Sequence, residues 1–145
     1  MDAKEYLKQI QLYNVRIRQM NEEYMRLEAI VNGTTGGFSS DKVQTSPDKN
    51  RREKAIIRLD NLGKRIQDMI AEQEEKRAEI IEMIHQLTNP RYIEILYFRY
   101  AEDIPLTSIP DVMKKNDGSE YSYDHILRLH GLALNAFREI YNDAM

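Results

Sequence analysis

The chain has 145 residues, with 21 Lys/Arg against 24 Asp/Glu for a net charge of −3, and neither cysteine nor tryptophan. That length supports one modest core or two small ones, while the lack of cysteine excludes disulfides, thiolate metal sites and cysteine nucleophiles. No apolar run approaches the roughly 20 residues that cross a bilayer, and Met1-Asp-Ala-Lys-Glu5 has no signal-peptide core, so a cytoplasmic protein without membrane contact is expected.

Residues 3–31 carry a seven-residue repeat. Tyr6, Tyr13, Met20 and Leu27 form one series, and Ile10, Ile17, Tyr24 and Val31 the other. This 4-3 spacing predicts a coiled-coil seam rather than a general amphipathic face. A second seam runs through Leu59, Leu62, Ile66, Met69, Gln73, Lys76, Ile80, Met83 and Leu87. Its two central polar positions cost stability but help to set register and partner choice. The charges around them (Glu72, Glu74, Glu75, Arg77 and Glu79) read as a solvated face.

Between the seams, residues 32–50 are rich in Gly, Ser, Thr and Asn, the composition of a flexible connector. It permits the two helices to fold back as an antiparallel hairpin, and equally permits helix exchange in a homodimer. Its glycines lack the spacing and the Gly-Lys-Ser/Thr ending of a phosphate-binding loop. Asn89-Pro90 must end or kink the second helix. The predicted division is therefore a coiled-coil hairpin over 1–88 and a second domain over 89–145.

That second domain reads as a helix-turn-helix. A helix over Tyr92–Tyr100 precedes a short helix opening near Leu106, with Ser108 as its cap, Asp111 as a capping-box partner and an end at Lys115. Asn116-Asp-Gly-Ser-Glu120 is turn chemistry. Ser122 then caps the last helix, with Tyr121 and Ile126 placed as a hydrophobic staple. Ile126, Leu129, Ala133, Phe137 and Ile140 fall on one face and should pack inward. Tyr123, Asp124, Leu127, Arg128 and Gly131 fall on the other.

A short helix braced behind a longer one is the geometry that places the second in a DNA major groove. Arg128 suits guanine O6/N7, Asp124 cytosine N4, and Leu127 a thymine methyl, with Tyr123 placed for a phosphate. Gly131 costs about 1 kcal/mol against Ala inside a helix, which a close backbone or duplex would explain, as would simple tolerance. Residues 89–145 hold six Lys/Arg and nine Asp/Glu, whereas a domain that grips DNA alone usually has a basic excess.

Residues Leu96-Tyr-Phe-Arg-Tyr100, Leu106-Thr107, Ser122, Ile126, Leu129, Ala133-Leu134 and Phe137-Arg138 resemble region four of bacterial sigma factors. Nearly the whole chain is similar to phage and prophage ArpU-like late-transcription regulators. They share a heptad-rich first half, a loop like Val43-Gln-Thr-Ser46, and a helix like Tyr121-Ser-Tyr-Asp-His-Ile-Leu-Arg-Leu-His-Gly-Leu-Ala-Leu134. The resemblance implies a bacterial-cell protein that binds double-stranded promoter DNA and helps to recruit RNA polymerase. By position Tyr123, Asp124, Leu127 and Arg128 stand where sigma region four places its base- and phosphate-contacting residues, and Ser122, Lys114, Lys115 and Arg138 complete the candidate DNA-binding set. Here the turn is longer than the family's, and Leu127 stands where an Arg is frequent.

No enzymatic constellation is visible and no cofactor is expected. His125 and His130 lie five apart on one helix, so they face different ways and share no metal. Glu82-Met-Ile-His85 matches half of a di-iron step, but no second copy accompanies it. The low basic charge also supports a second reading, in which the coiled-coil arm is a protein-interaction module and the last domain reads no DNA.

Overall fold

The computed structural model describes residues 1–33 and 46–145. Among them every regular element is helical, apart from one isolated bridge between Lys114 and Glu120. The all-α expectation holds. No described helix is long and apolar enough to cross a membrane.

The first helix, α1 (Ala3–Leu7), begins with a reciprocal cap. Asp2 Oδ1 accepts from the Glu5 amide at 2.8 Å, and Glu5 Oε2 accepts from the Asp2 amide at 3.1 Å. Each carboxylate thus meets an amide that has no partner within the helix. Lys8 keeps right-handed helical backbone and leads into α2 (Gln9–Val31).

Next comes α3 (Ser46–Ile84), which starts earlier than the predicted connector 32–50 allowed. Proline in a first helical turn removes only an amide that lacks a partner there, so Ser46-Pro-Asp48 admits a helix. The rest of that connector, 34–45, and most of the Val43-Gln-Thr-Ser46 motif lie outside the described residues. At its other end α3 stops at Ile84, and Asn89 rather than Pro90 punctuates the restart. Asn89 Oδ1 accepts from the Arg91 amide at 3.0 Å, with Pro90 as the first residue of α4 (Pro90–Leu96).

The predicted helix over Tyr92–Tyr100 widens at its end. Tyr97–Ala101 form a π-turn, closed by the Glu102 amide donating to the Tyr97 carbonyl at 3.0 Å. Arg77 braces this turn from α3, reaching the Ala101 carbonyl, the Tyr97 hydroxyl and Glu102, each at 3.4 Å. Asp103 follows at φ 56°, a left-handed conformation that Asp tolerates better than most residues. A 3-10 turn (Leu106–Ser108), the short α5 (Ile109–Val112) and the long α6 (Tyr123–Ala144) complete the chain.

Two compact units result: Met1–Leu12 with Gln73–Met145, and Tyr13–Glu72. They divide inside the heptad helices, not at Asn89-Pro90. The first unit has a continuous core that takes Tyr6, Leu7 and Ile10 from the N-terminus. Ile80 and Ile84 join from α3, Ile95, Leu96 and Tyr100 from the middle, and Ile126, Leu129 and Phe137 from α6. Tyr6 and Ile10, read as coiled-coil seam, are therefore core residues here. The Tyr6 ring stacks on Phe137 at 6.3 Å and lies 5.2 Å from Tyr141, and the Tyr141 hydroxyl donates to the Met1 carbonyl at 3.1 Å. Polar seam residue Lys76 is also partnered: its ammonium meets Glu79 at 3.0 Å, and Glu79 accepts from Tyr6 at 2.9 Å. The second unit buries less. Leu27, Ala55 and Ile66 are its buried side chains among the described residues, and Tyr24 lies against Gly63. Two helices alone can cover only one stripe of each other, so Ile17, Met20, Leu59 and Leu62 remain half-exposed.

Candidate nucleic-acid interface

The site rests on α6. Ser122 has extended backbone, and its Oγ accepts from the His125 amide at 3.1 Å, which satisfies a first-turn donor as the sequence predicts. Tyr121 and Ile126, the predicted staple, are both buried. Ile126, Leu129, Ala133 and Phe137 are buried and Ile140 is half-buried. The inward stripe is wider than read from sequence, because His130, Leu134 and Tyr141 also go inside. Their signal was available: 126, 130, 134, 137 and 141 step by four or three residues, a single helical face.

His130 is the informative omission. It is 8% exposed, and its Nε2 lies 2.8 Å from the Tyr100 hydroxyl, across the core from α6 to the π-turn. Burial, reinforced by the positive charges of Lys4, Arg99 and Lys8, pushes the His130 imidazole down to about 4. Burial likewise raises the Tyr100 phenol to about 12, so at neutral pH a neutral phenol meets a neutral imidazole. The pair ties α6 to the segment before the short helix and fixes which face remains outside.

That outer face carries the predicted residues. Tyr123 is 44% and Leu127 41% exposed, and Asp124 and Arg128 are exposed as well. Arg128 makes no ion pair or hydrogen bond among the described residues, so its guanidinium and five donors are available to an incoming partner. Gly131 lies on the same side, and a Cβ built there meets nothing within 4 Å. No other described part of the chain therefore requires glycine at that position. Arg138 is exposed but donates to Asn135 Oδ1 at 2.6 Å, one turn back.

The predicted short helix is corrected at both ends. Ser108 makes no cap, because its backbone already sits in the 3-10 turn that leads into α5 (φ −99°, ψ −8°). A cap needs extended backbone to aim its oxygen at the amides behind. The helix ends at Val112 instead of Lys115, with Met113 extended and fully buried. Lys114 and Lys115 accordingly lie in the turn. Its extra residues have a structure of their own: Lys114 and Glu120 bridge as opposed strands, and the Lys115 amide donates to the Ser119 carbonyl at 3.0 Å. Asp117 accepts from the Ser119 amide and hydroxyl at 2.9 and 2.6 Å, and these bonds hold its carboxyl below the usual range. Gly118 supplies the positive φ of 85° that the turn requires.

Both lysines are engaged within the chain. The Lys114 ammonium reaches Glu120 at 3.3 Å and the Pro110 carbonyl at 3.1 Å, and Lys115 lies over the Tyr121 ring at 5.6 Å. Charge across the whole unit is unfavourable for phosphate. Met1–Leu12 and Gln73–Met145 carry ten Lys/Arg against fifteen Asp/Glu. Compared with protein-family models, curated proteins and solved structures, the chain matches none.

Proposed function

We infer that the chain is a phage-type transcription regulator, a helical hairpin joined to a sigma region-four-like helix-turn-helix. It binds promoter DNA in a bacterial host through the outer face of α6 and contacts RNA polymerase. The observation that carries this reading is Arg128: exposed and unpaired among the described residues, on a capped helix whose opposite face is fully committed to the core. A guanidinium in that state, about one and a half turns from the helix start, suits bidentate contact with guanine. Tyr123 and Leu127 flank it with apolar surface for thymine methyl and sugar. Asp124 helps the helix dipole in the first turn but repels phosphate, so base contact at this face must exclude a close phosphate beside it.

Mobility-shift titration against a library of promoter fragments tests the reading. Arg128→Ala should cost about 1–3 kcal/mol and relax preference at one base pair. Because Lys114 is held by Glu120 and Pro110, Lys115→Ala should lower affinity for all sequences more than Lys114→Ala does. Identical shifts for wild type and Arg128→Ala would remove this face from consideration.

The acidic balance of this unit favours a second reading, a helical protein-interaction module that binds no DNA. Retention of RNA polymerase by the intact protein, with no retention of any duplex, would select it. Full-length surface variants serve this test better than truncation, since removing 89–145 would strip the core that covers Tyr6, Leu7 and Ile10.

A further inference from the structure

The unit formed by Tyr13–Glu72 has the opposite electrostatics, with eleven Lys/Arg against nine Asp/Glu. Its basic charge is concentrated around a cavity of about 460 Å³ between the end of α2 and the start of α3. Arg26 approaches from α2, and Arg51, Lys54 and Arg58 from α3. Among the described residues no carboxylate lines the cavity. Arg26 shares a surface ion pair with Glu23 at 2.8 Å, whereas Arg51, Lys54 and Arg58 have no ion pair or hydrogen bond among the described residues. The floor is Leu27 and Ala55, both buried, with Ile30 beside them.

Like charges three and four residues apart on a helix weaken it, so three cations on one face of α3 with no ion pair among the described residues repel one another. A bound polyanion reverses that sign. We propose that this cleft binds the phosphate backbone of nucleic acid, as an electrostatic grip separate from the α6 face. Three of the four cations are arginines, whose planar fork matches phosphate oxygens better than a point charge does. From Arg51 to Arg58 the row spans about 10 Å at 1.5 Å per residue, long enough to meet more than one phosphate of a strand. The choice of nucleic acid over an acidic protein rests on the proposed DNA reading: an acidic reading unit needs its counterion release supplied elsewhere.

Fluorescence anisotropy of the full chain on a duplex of arbitrary sequence, titrated at 50 to 200 mM salt, tests this. The variant R51Q/K54Q/R58Q should bind at least tenfold more weakly at 50 mM. Its logarithmic salt slope should fall by about three units, one for each lost contact. The weakening across that salt range should then shrink about 40-fold. The charge-matched variant R16Q/R18Q/R65Q, off the cleft, should keep most of the affinity. Equal losses in the two variants, an unchanged salt slope, or loss of poly-glutamate binding in place of duplex binding would each overturn the proposal. The two ideas separate cleanly. Loss of base preference in Arg128→Ala with a normal cleft variant sinks only the cleft, and the reverse pattern sinks only the α6 face.

Discussion

The buried His130 makes acid stability the sharpest test of the fold around α6. In the unfolded chain its imidazole titrates near 6.5, and in the fold burial and the nearby Lys4, Arg99 and Lys8 hold it at about 4. The unfolded state therefore takes up the proton first as pH falls. Stability is complete above pH 6.5 and is lost progressively toward pH 4. At 1.36 kcal/mol per unit, the full loss is about 3 kcal/mol, a large share of what a domain of this size has to spare. Urea unfolding followed by circular dichroism at half-unit steps from pH 7.5 to 4 measures it directly. In His130→Phe the ring volume is kept but the proton site is gone. That variant should be less stable at pH 7.5 by about 1–2 kcal/mol, since Tyr100 loses its partner in the core. Its stability should then stay level down to about pH 5. The carboxylates of Glu79 and Asp117 are held below their usual range, so their contribution is lost only at lower pH and both proteins share it. Parallel curves for wild type and His130→Phe across pH 6.5 to 4.5 would refute the assignment of a neutral, buried imidazole.

Other outcomes follow from the same face and its cap. Gly131→Ala should raise stability by roughly 0.5–1 kcal/mol, because the helix gains propensity and the added methyl meets nothing within 4 Å; a simultaneous loss of DNA affinity, read by anisotropy, would mark this side as the contact surface. Ser122→Ala removes the acceptor for the His125 amide and should cost about 1 kcal/mol in urea unfolding, whereas Ser108→Ala, at a position that makes no cap, should be nearly neutral. Equal costs for the two serines would contradict the observed capping.

Much of α6 was legible from local chemistry. A serine with extended backbone, a staple residue on each side and apolar residues at three-four spacing specify a helix start and an inward face without help from elsewhere. The exposed Tyr123, Asp124, Leu127 and Arg128 follow from the same periodicity. The short helix before it departs from its local signal, because Ser108-Ile-Pro-Asp111 is compatible with a cap in isolation. Only the preceding Leu106–Ser108 turn, set by how that segment enters the core, rotates Ser108 out of capping geometry. Lys114 and Lys115 likewise left the helix because Met113 is buried in extended form.

The amino-acid order alone therefore determined what depends on neighbours a few residues apart: helical class, heptad stripes, and where α6 begins and which side it turns inward. Tertiary contacts decided what depends on distant partners. Tyr6 and Ile10 have the spacing of a seam, yet Phe137 and Tyr141 make Tyr6 part of a core drawn from both ends of the chain. Helical spacing turns His130 inward, but no nearby residue announces its partner: Tyr100, thirty positions earlier, supplies its hydrogen bond. Periodicity reports that a side chain will be covered; the three-dimensional packing chooses what covers it, and so which groups remain for a partner.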